Sequence, residues 1–184
     1  MMDAPKLLSA ISSSASSETP YYSLVPKNIE ANLEFRKSVY KLGSESKEAA
    51  RELWIASRRD ILFWINTFCW VYEPRDHVDP SKMGTMPWIT SDCQDDHILW
   101  LKKYLGKEDM LTDKSRDMAA SWNVLALFQH QFQFEDMRSF LCLSRKEDLV
   151  DKSGDPDALF WKLDYLHDNQ PGWLRPNRER NKLM

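Results

Sequence analysis

The stretch from Ile61 to Tyr72 reads ILFWINTFCWVY, broken only by Asn66 and Thr67. A run this apolar has to leave water. It is shorter than the roughly 20 residues that a membrane-spanning helix requires, so it points to the interior of a globular fold. Trp54, Arg58, Ile61, Ile65, Phe68 and Tyr72 recur every three or four positions, and Leu53, Trp64 and Cys69 widen the stripe. That period predicts one long helix over 46–72, stopped by Pro74.

The flanks follow from local signals. SSSASSETP within the first 23 residues predicts a mobile polar arm. Residues 26–42 predict a helix, broken by Gly43 and Ser44. The segment 73–87 carries Pro74, Pro80, Gly84 and Pro87 and predicts a loop. Ser91 predicts an N-cap, with Asp92, Asp95 and Asp96 favoured by the helix dipole and Gly106 ending the helix. Beyond it, 110–112 and 140–143 predict short strands, and 119–134 and 157–166 predict helices. The order strand–turn–helix–strand–helix is the opening of a parallel α/β unit.

Composition narrows the class. Lys plus Arg is 25 and Asp plus Glu is 28, a net charge of −3. This excludes a uniformly basic nucleic-acid coat, though not a local basic groove. With 42% hydrophobic residues, wholesale disorder is excluded. Five Gly against eight Trp favour helix over a many-turned β sandwich. Cys69, Cys93 and Cys142 are odd in number and not in CxxC spacing, which predicts reduced core thiols in a cytoplasmic protein. His77, His97, His130 and His167 form no metal-ligand pair with them. Arg36-Lys37 and Arg58-Arg59 predict solvated helix faces.

Three constellations carry chemistry. Lys114-Ser115-Arg116-Asp117-Met118-Ala119-Ala120-Ser121 sits between a predicted strand and a helix, where a phosphate-binding loop belongs. Ser121 holds the hydroxyl position, but Ala120 stands where the usual Lys belongs and Ala119 replaces the second Gly. The plain alternative is a polar loop capping a helix. Gln94, in MPWITSDCQ, offers an acceptor and two donors to an adenine edge, or is an ordinary exposed glutamine. Arg145 and Lys146 follow the second predicted strand, where they can meet the phosphate of nucleotide or DNA, or form a solvated loop. No nucleophile–base pair or paired carboxylate stands out, so no catalytic residue is assigned.

Taken together, FWINTFCWVYEPR, MPWITSDCQ, DKSRDMAASW and FLCLSRKEDLVDKSGDPDALFWKL resemble, in order, the N-terminal part of the large terminase subunit of tailed phages and prophages. The similarity runs over roughly 61–176. The resemblance implies an ATP-driven motor that packages viral double-stranded DNA. It implies a deviant Walker A in which Lys114 leads the loop, with Ser115 and Arg116 following and Ser121 toward Mg²⁺. Gln94 would be the adenine-reading glutamine, and Arg145 and Lys146 would be phosphate or DNA contacts. ATP and Mg²⁺ are the implied cofactors. The implied partners are viral DNA, the portal protein, the small terminase subunit and further copies in a ring, with no membrane, in the cytoplasm of a bacterial host.

On this reading 1–23 is a flexible arm and 24–106 a helical region holding the Gln94 motif. Residues 107–176 are part of a P-loop (ASCE-type) parallel-sheet ATPase domain, and 177–184 a polar basic tail. The expected fold is therefore α/β: a helical N-terminal region, then the start of a parallel sheet. Relatives carry Gly where this chain has Ala119. No apolar strand ending in Asp-Glu follows Ser121, so a Walker B is absent and the ATPase domain reads as incomplete. The alternative is a truncated prophage remnant that only binds.

Overall fold

A computed structural model describes residues 8, 9, 11, 18–73, 84–115 and 118–179. Asn28 opens the first helix, α1 (Ile29–Glu45), its side-chain oxygen accepting from the Glu30 and Ala31 N–H groups at 3.1 Å each. The helix passes straight through Gly43 rather than breaking there. An added Cβ at Gly43 would lie 2.2 Å from the Trp173 ring, so the glycine serves close packing, not termination. Ser46 ends α1 and caps α2 (Lys47–Arg59) through Ala49 N–H.

The long helix expected over 46–72 is divided. Asp60 leaves helical geometry at φ −126° and ψ 99°, ending α2 and starting α3 (Ile61–Phe68). One carboxylate oxygen accepts from Phe63 N–H at 2.9 Å. The other accepts from Tyr21 and Tyr22 N–H at 2.9 and 2.8 Å, just ahead of a 3-10 turn at Tyr22–Leu24. An aspartate that satisfies three backbone donors outweighs the continuity of the apolar stripe. Tyr21, in the stretch expected to be an arm, is buried as a result.

The stripe ends short of Tyr72. Trp70 to Glu73 form β1, antiparallel to β2 (Gly84–Pro87), with Trp70 opposite Pro87 and Glu73 opposite Gly84. Part of the expected loop at 73–87 is therefore a hairpin arm, while Pro74 lies outside the described residues. The aromatic and β-branched Trp70, Val71 and Tyr72 suit a pleated, half-buried surface. α4 (Asp92–Tyr104) begins at Ser91 and ends at Leu105, with Gly106 at φ +75° immediately after. α5 (Ala120–Phe134) and α6 (Leu159–Asp168) complete the helices.

The fold is mixed: mainly helical, with one two-stranded antiparallel sheet. The strands expected at 110–112 and 140–143 do not form among the described residues. A strand exists only in a ladder, and neither segment has one. Their leucines stay in solvent: Leu111 is 91% exposed, Leu141 78% and Leu143 77%. Phe140 instead stacks on Phe128 of α5, ring centres 4.4 Å apart.

Every residue of α3 is buried, as a helix apolar on all sides must be. Trp64 meets His130 and Phe134 of α5 and donates from Nε1 to Gln170 Oε1 at 3.0 Å. Phe68 packs edge-on to Trp173. One apolar core thus draws on both sides of residue 106. Arg36, expected on a solvated face, is buried in it. Its guanidinium donates to the Cys69, Asn66, Ile65 and Trp88 carbonyls and to Asn32 Oδ1. Cys69 is buried, Cys142 half-buried and Cys93 exposed, so only part of the core-thiol expectation holds. Among the described residues, no helix is long and apolar enough to cross a membrane.

Candidate functional site

A cleft of about 610 Å³ opens between the hairpin, the start of α4, the start of α5 and the approach to α6. Its volume lies within the range usual for small-molecule sites, roughly 300–1,000 Å³. The hairpin contributes Val71, Tyr72 and Glu73, and Trp88 and Gln94 come from the segment leading into α4. That segment is held from beneath. Thr90 N–H donates to Asn66 Oδ1 at 2.9 Å, Lys27 Nζ to the Thr90 carbonyl at 2.7 Å, and Tyr22 Oη to Asp95 Oδ2 at 2.5 Å. The Thr90 hydroxyl donates to the other Asp95 oxygen. Burial raises the Asp95 carboxyl above the usual range, against the Thr90 and Lys27 donors.

Gln94 is not idle here. Its Oε1 accepts the Ser91 backbone N–H at 3.1 Å as part of a capping box at the start of α4. Lys114 also lines the cleft and has no hydrogen-bond or ion-pair partner among the described residues. At the start of α5, Ala119 takes up φ +55° and ψ 19°, the left-handed region, and supplies no side-chain cap. Ala119, Ala120 and Ser121, at the start of α5, line the cleft, and no side chain caps that end of the helix. Such a helix start attracts anions through its free N–H groups and dipole.

Lys162 and Asp157, which fall in the resembling segment 140–163 but gain no site role from the sequence, also line the cleft. Lys162 donates to the Pro156 carbonyl and sits 5.9 Å from the Trp122 ring centre, with no carboxylate in ion-pair range among the described residues. Burial lowers its pKa from the usual lysine value, and Asp157 and Asp155 partly restore it. Trp88 and Trp122 meet edge-on at 6.0 Å, and Trp122 continues through Tyr165 to Trp161 and Tyr72. Sequence spacing assigns no site role to Lys162 or to these aromatic contacts, because they join the hairpin, the approach to α4, α5 and α6, which are far apart in the chain.

The structure therefore brings Gln94, Lys114 and Ser121 to one cleft. It does not bring Arg145, Lys146 or Ser115, which are exposed and outside its lining. Arg116 lies outside the described residues. No protein family model, curated protein or solved structure matches the chain.

The groups present suit a phosphorylated ligand. Two ammonium groups, a hydroxyl and an uncapped helix start converge, beside an aromatic wall. Glu73 and Asp157 stand in the same lining. Among the described residues, no group of three or more His, Cys, Asp or Glu is gathered for a metal. A Mg²⁺ ion here would be held by the Ser121 hydroxyl and the phosphates that accompany it, in keeping with a cation that binds few protein ligands.

Proposed function

We propose that this chain is the N-terminal portion of a phage terminase large subunit and that the cleft is its ATP site. The observation that carries this reading is that Gln94 lines one cleft at the start of a helix together with Lys114 and Ser121 of a later segment. Lys114 neutralises charge on the β- and γ-phosphates. The first amides of α5 donate to the phosphate oxygens, and Ser121 faces the Mg²⁺. Mg²⁺–ATP, when bound, supplies the phosphoanhydride that drives packaging. In the intact motor, copies of the subunit form a ring on the portal protein, act with the small subunit and grip double-stranded viral DNA in the host cytoplasm. The parallel ATPase sheet belongs to the same proposal. With no Walker B after Ser121, the 184-residue chain binds nucleotide without turning it over.

Calorimetric titration of Mg²⁺–ATP into the native chain and into Lys114→Ala tests the reading. A charge-assisted phosphate contact is worth about 1.5–3 kcal/mol, so Lys114→Ala should weaken binding by roughly 10- to 100-fold. Equal binding by both proteins sinks the assignment of Lys114. Turnover by the isolated chain that Lys114→Ala abolishes would defeat the no-turnover statement.

A second reading, a binding module without nucleotide chemistry, has its own support. Leu141 and Leu143 are exposed over a groove formed with Val124 and Leu159, and such a patch favours a protein partner. On that reading Lys114→Ala changes nothing, and Leu141→Ser with Leu143→Ser abolishes binding to purified portal protein or small subunit.

A further inference from the structure

A second cavity, of about 240 Å³, lies between α5, α6 and the chain that joins them, and shares no lining residue with the cleft. Its walls are mostly aromatic: Phe128 and Phe132 from α5, Phe140 from the joining chain, and Phe160 from α6, with Leu163 beside them. Phe132 remains 47% exposed, an apolar ring that the fold leaves uncovered at this cavity.

One uncharged polar group interrupts these walls. Gln129 is only 4% exposed; its Nε2 is buried with no hydrogen-bond partner, and its Oε1 has none among the described residues. Such an amide has given up its water and gained nothing in return. A trapped water is a poor remedy, because it needs two to four polar partners, and the other uncharged walls are phenyl rings, Leu163 and the Cys142 thiol.

Charge and size narrow the ligand. Arg178 pairs with Asp164 at 2.8 Å, and the exposed Arg138 and Glu179 carry opposite charges, so the lining is neutral as a whole. Neither a carboxylate nor an ammonium is favoured. An apolar cavity of about 150 Å³ admits benzene, so this one has room for a ring with a substituent. A hydroxyl both donates and accepts, and so pairs with either atom of the Gln129 amide.

We infer that this cavity is a binding site for a small neutral phenol, its ring against the phenylalanines and its hydroxyl on Gln129. The site is independent of the nucleotide reading.

Calorimetric titration of phenol and toluene into the full chain tests it. Phenol is expected to bind at millimolar concentration or below. Gln129→Met keeps the bulk of the side chain and removes its hydrogen bonds. It should weaken phenol by about threefold or more, leave toluene unchanged or tighter, and raise the urea midpoint. Phe132→Ala, at a half-exposed position that folding tolerates, should weaken both ligands and serves if Gln129→Met does not fold. In the native chain, phenol should slow alkylation of Cys142, which lines the cavity, and leave the exposed Cys93 unaffected.

If neither ring binds at millimolar concentration, the site is overturned. Phenol and toluene weakened by the same factor in Gln129→Met would overturn the role of the amide. Cys142 also borders the groove beside Leu141 and Leu143, which Gln129 and Phe132 do not line. Protection of Cys142 that survives both variants would place the ring in that groove and overturn the assignment. N-acetyltyrosinamide binding as tightly as phenol would give the site to a protein side chain and overturn the small-molecule reading.

Discussion

Ala119 is the residue where local chemistry and position disagree. Its φ of +55° places a Cβ in the left-handed region, which costs a non-glycine residue about 1–2 kcal/mol. Glycine removes that strain but loses more chain entropy on folding, so the net gain is smaller. Ala119→Gly should therefore raise the stability of the chain by about 0.5–1 kcal/mol, read from urea midpoints at constant slope. A loss instead would show that the Cβ makes contacts worth more than the strain. Arg36 presents the opposite case, an expense that is matched. Burial lowers its pKa, but its N–H groups meet the carbonyls at the C-terminal end of α3, where the helix dipole favours a cation. It needs no carboxylate because the backbone supplies the negative end. Sequence spacing alone put Arg36 on a wet face, since nothing in its neighbours announces those carbonyls.

Among the elements, the Asp60 junction between α2 and α3 and the His130 position in α5 are set against each other by pH. Burial pushes the Asp60 carboxyl up to about 6, despite the Phe63 and Tyr21 amides that favour its charged form. The folded state thus holds this proton more tightly than the unfolded chain, whose carboxyl titrates near 3.8. Asp60 contributes stability that is complete below about pH 4 and is lost as pH rises through 6. His130 is fully buried, donates from Nε2 to the Ser57 carbonyl at 2.8 Å, and has its pKa pushed down to about 3 by burial. The unfolded chain takes up that proton first, so the His130 contribution is complete above about pH 6.5 and lost as pH falls. Relative to the native chain, Asp60→Asn should lose about 1–2 kcal/mol between pH 6.5 and 4.5, and His130→Gln should gain a similar amount. Urea unfolding of the three proteins at both pH values checks this. Parallel slopes would show that neither group changes its proton affinity on folding. Asparagine still caps a helix, which keeps α3 intact in the comparison.

At the scale of the whole molecule, one buried polar bracket joins α3, α5 and the segment after α6. Trp64 Nε1 and Gln133 Nε2 both donate to Gln170 Oε1 at 3.0 Å, and Gln133 also reaches the Leu174 carbonyl at 3.1 Å. With the apolar core continuous around it, the regions before and after residue 106 should unfold together. Far-UV circular dichroism and tryptophan emission are expected to give coincident urea transitions. Trp64→Ala should shift both by about 3–5 kcal/mol, the usual cost of emptying a large core position. Separate transitions would show two independent units.

The amino-acid order alone determined what depends on near neighbours. The caps at Ser91 and Gly106, the buried character of 61–68 and the helices at 92–104 and 120–134 follow from side chains a few positions apart, whose effects are local and roughly additive. It also named Gln94, Lys114 and Ser121, although only a resemblance gave them roles. Tertiary structure decided the rest. The break at Asp60 needed Tyr21 and Tyr22 to arrive from 39 and 38 positions away, and the β1–β2 hairpin needed a partner strand. Lys162 joined Lys114 only because α6 packs beside α5. The expected strands at 110–112 and 140–143 failed for the same reason. Helix hydrogen bonds close within the segment that makes them, whereas a ladder, a buried cation or a cleft exists only once distant segments have met.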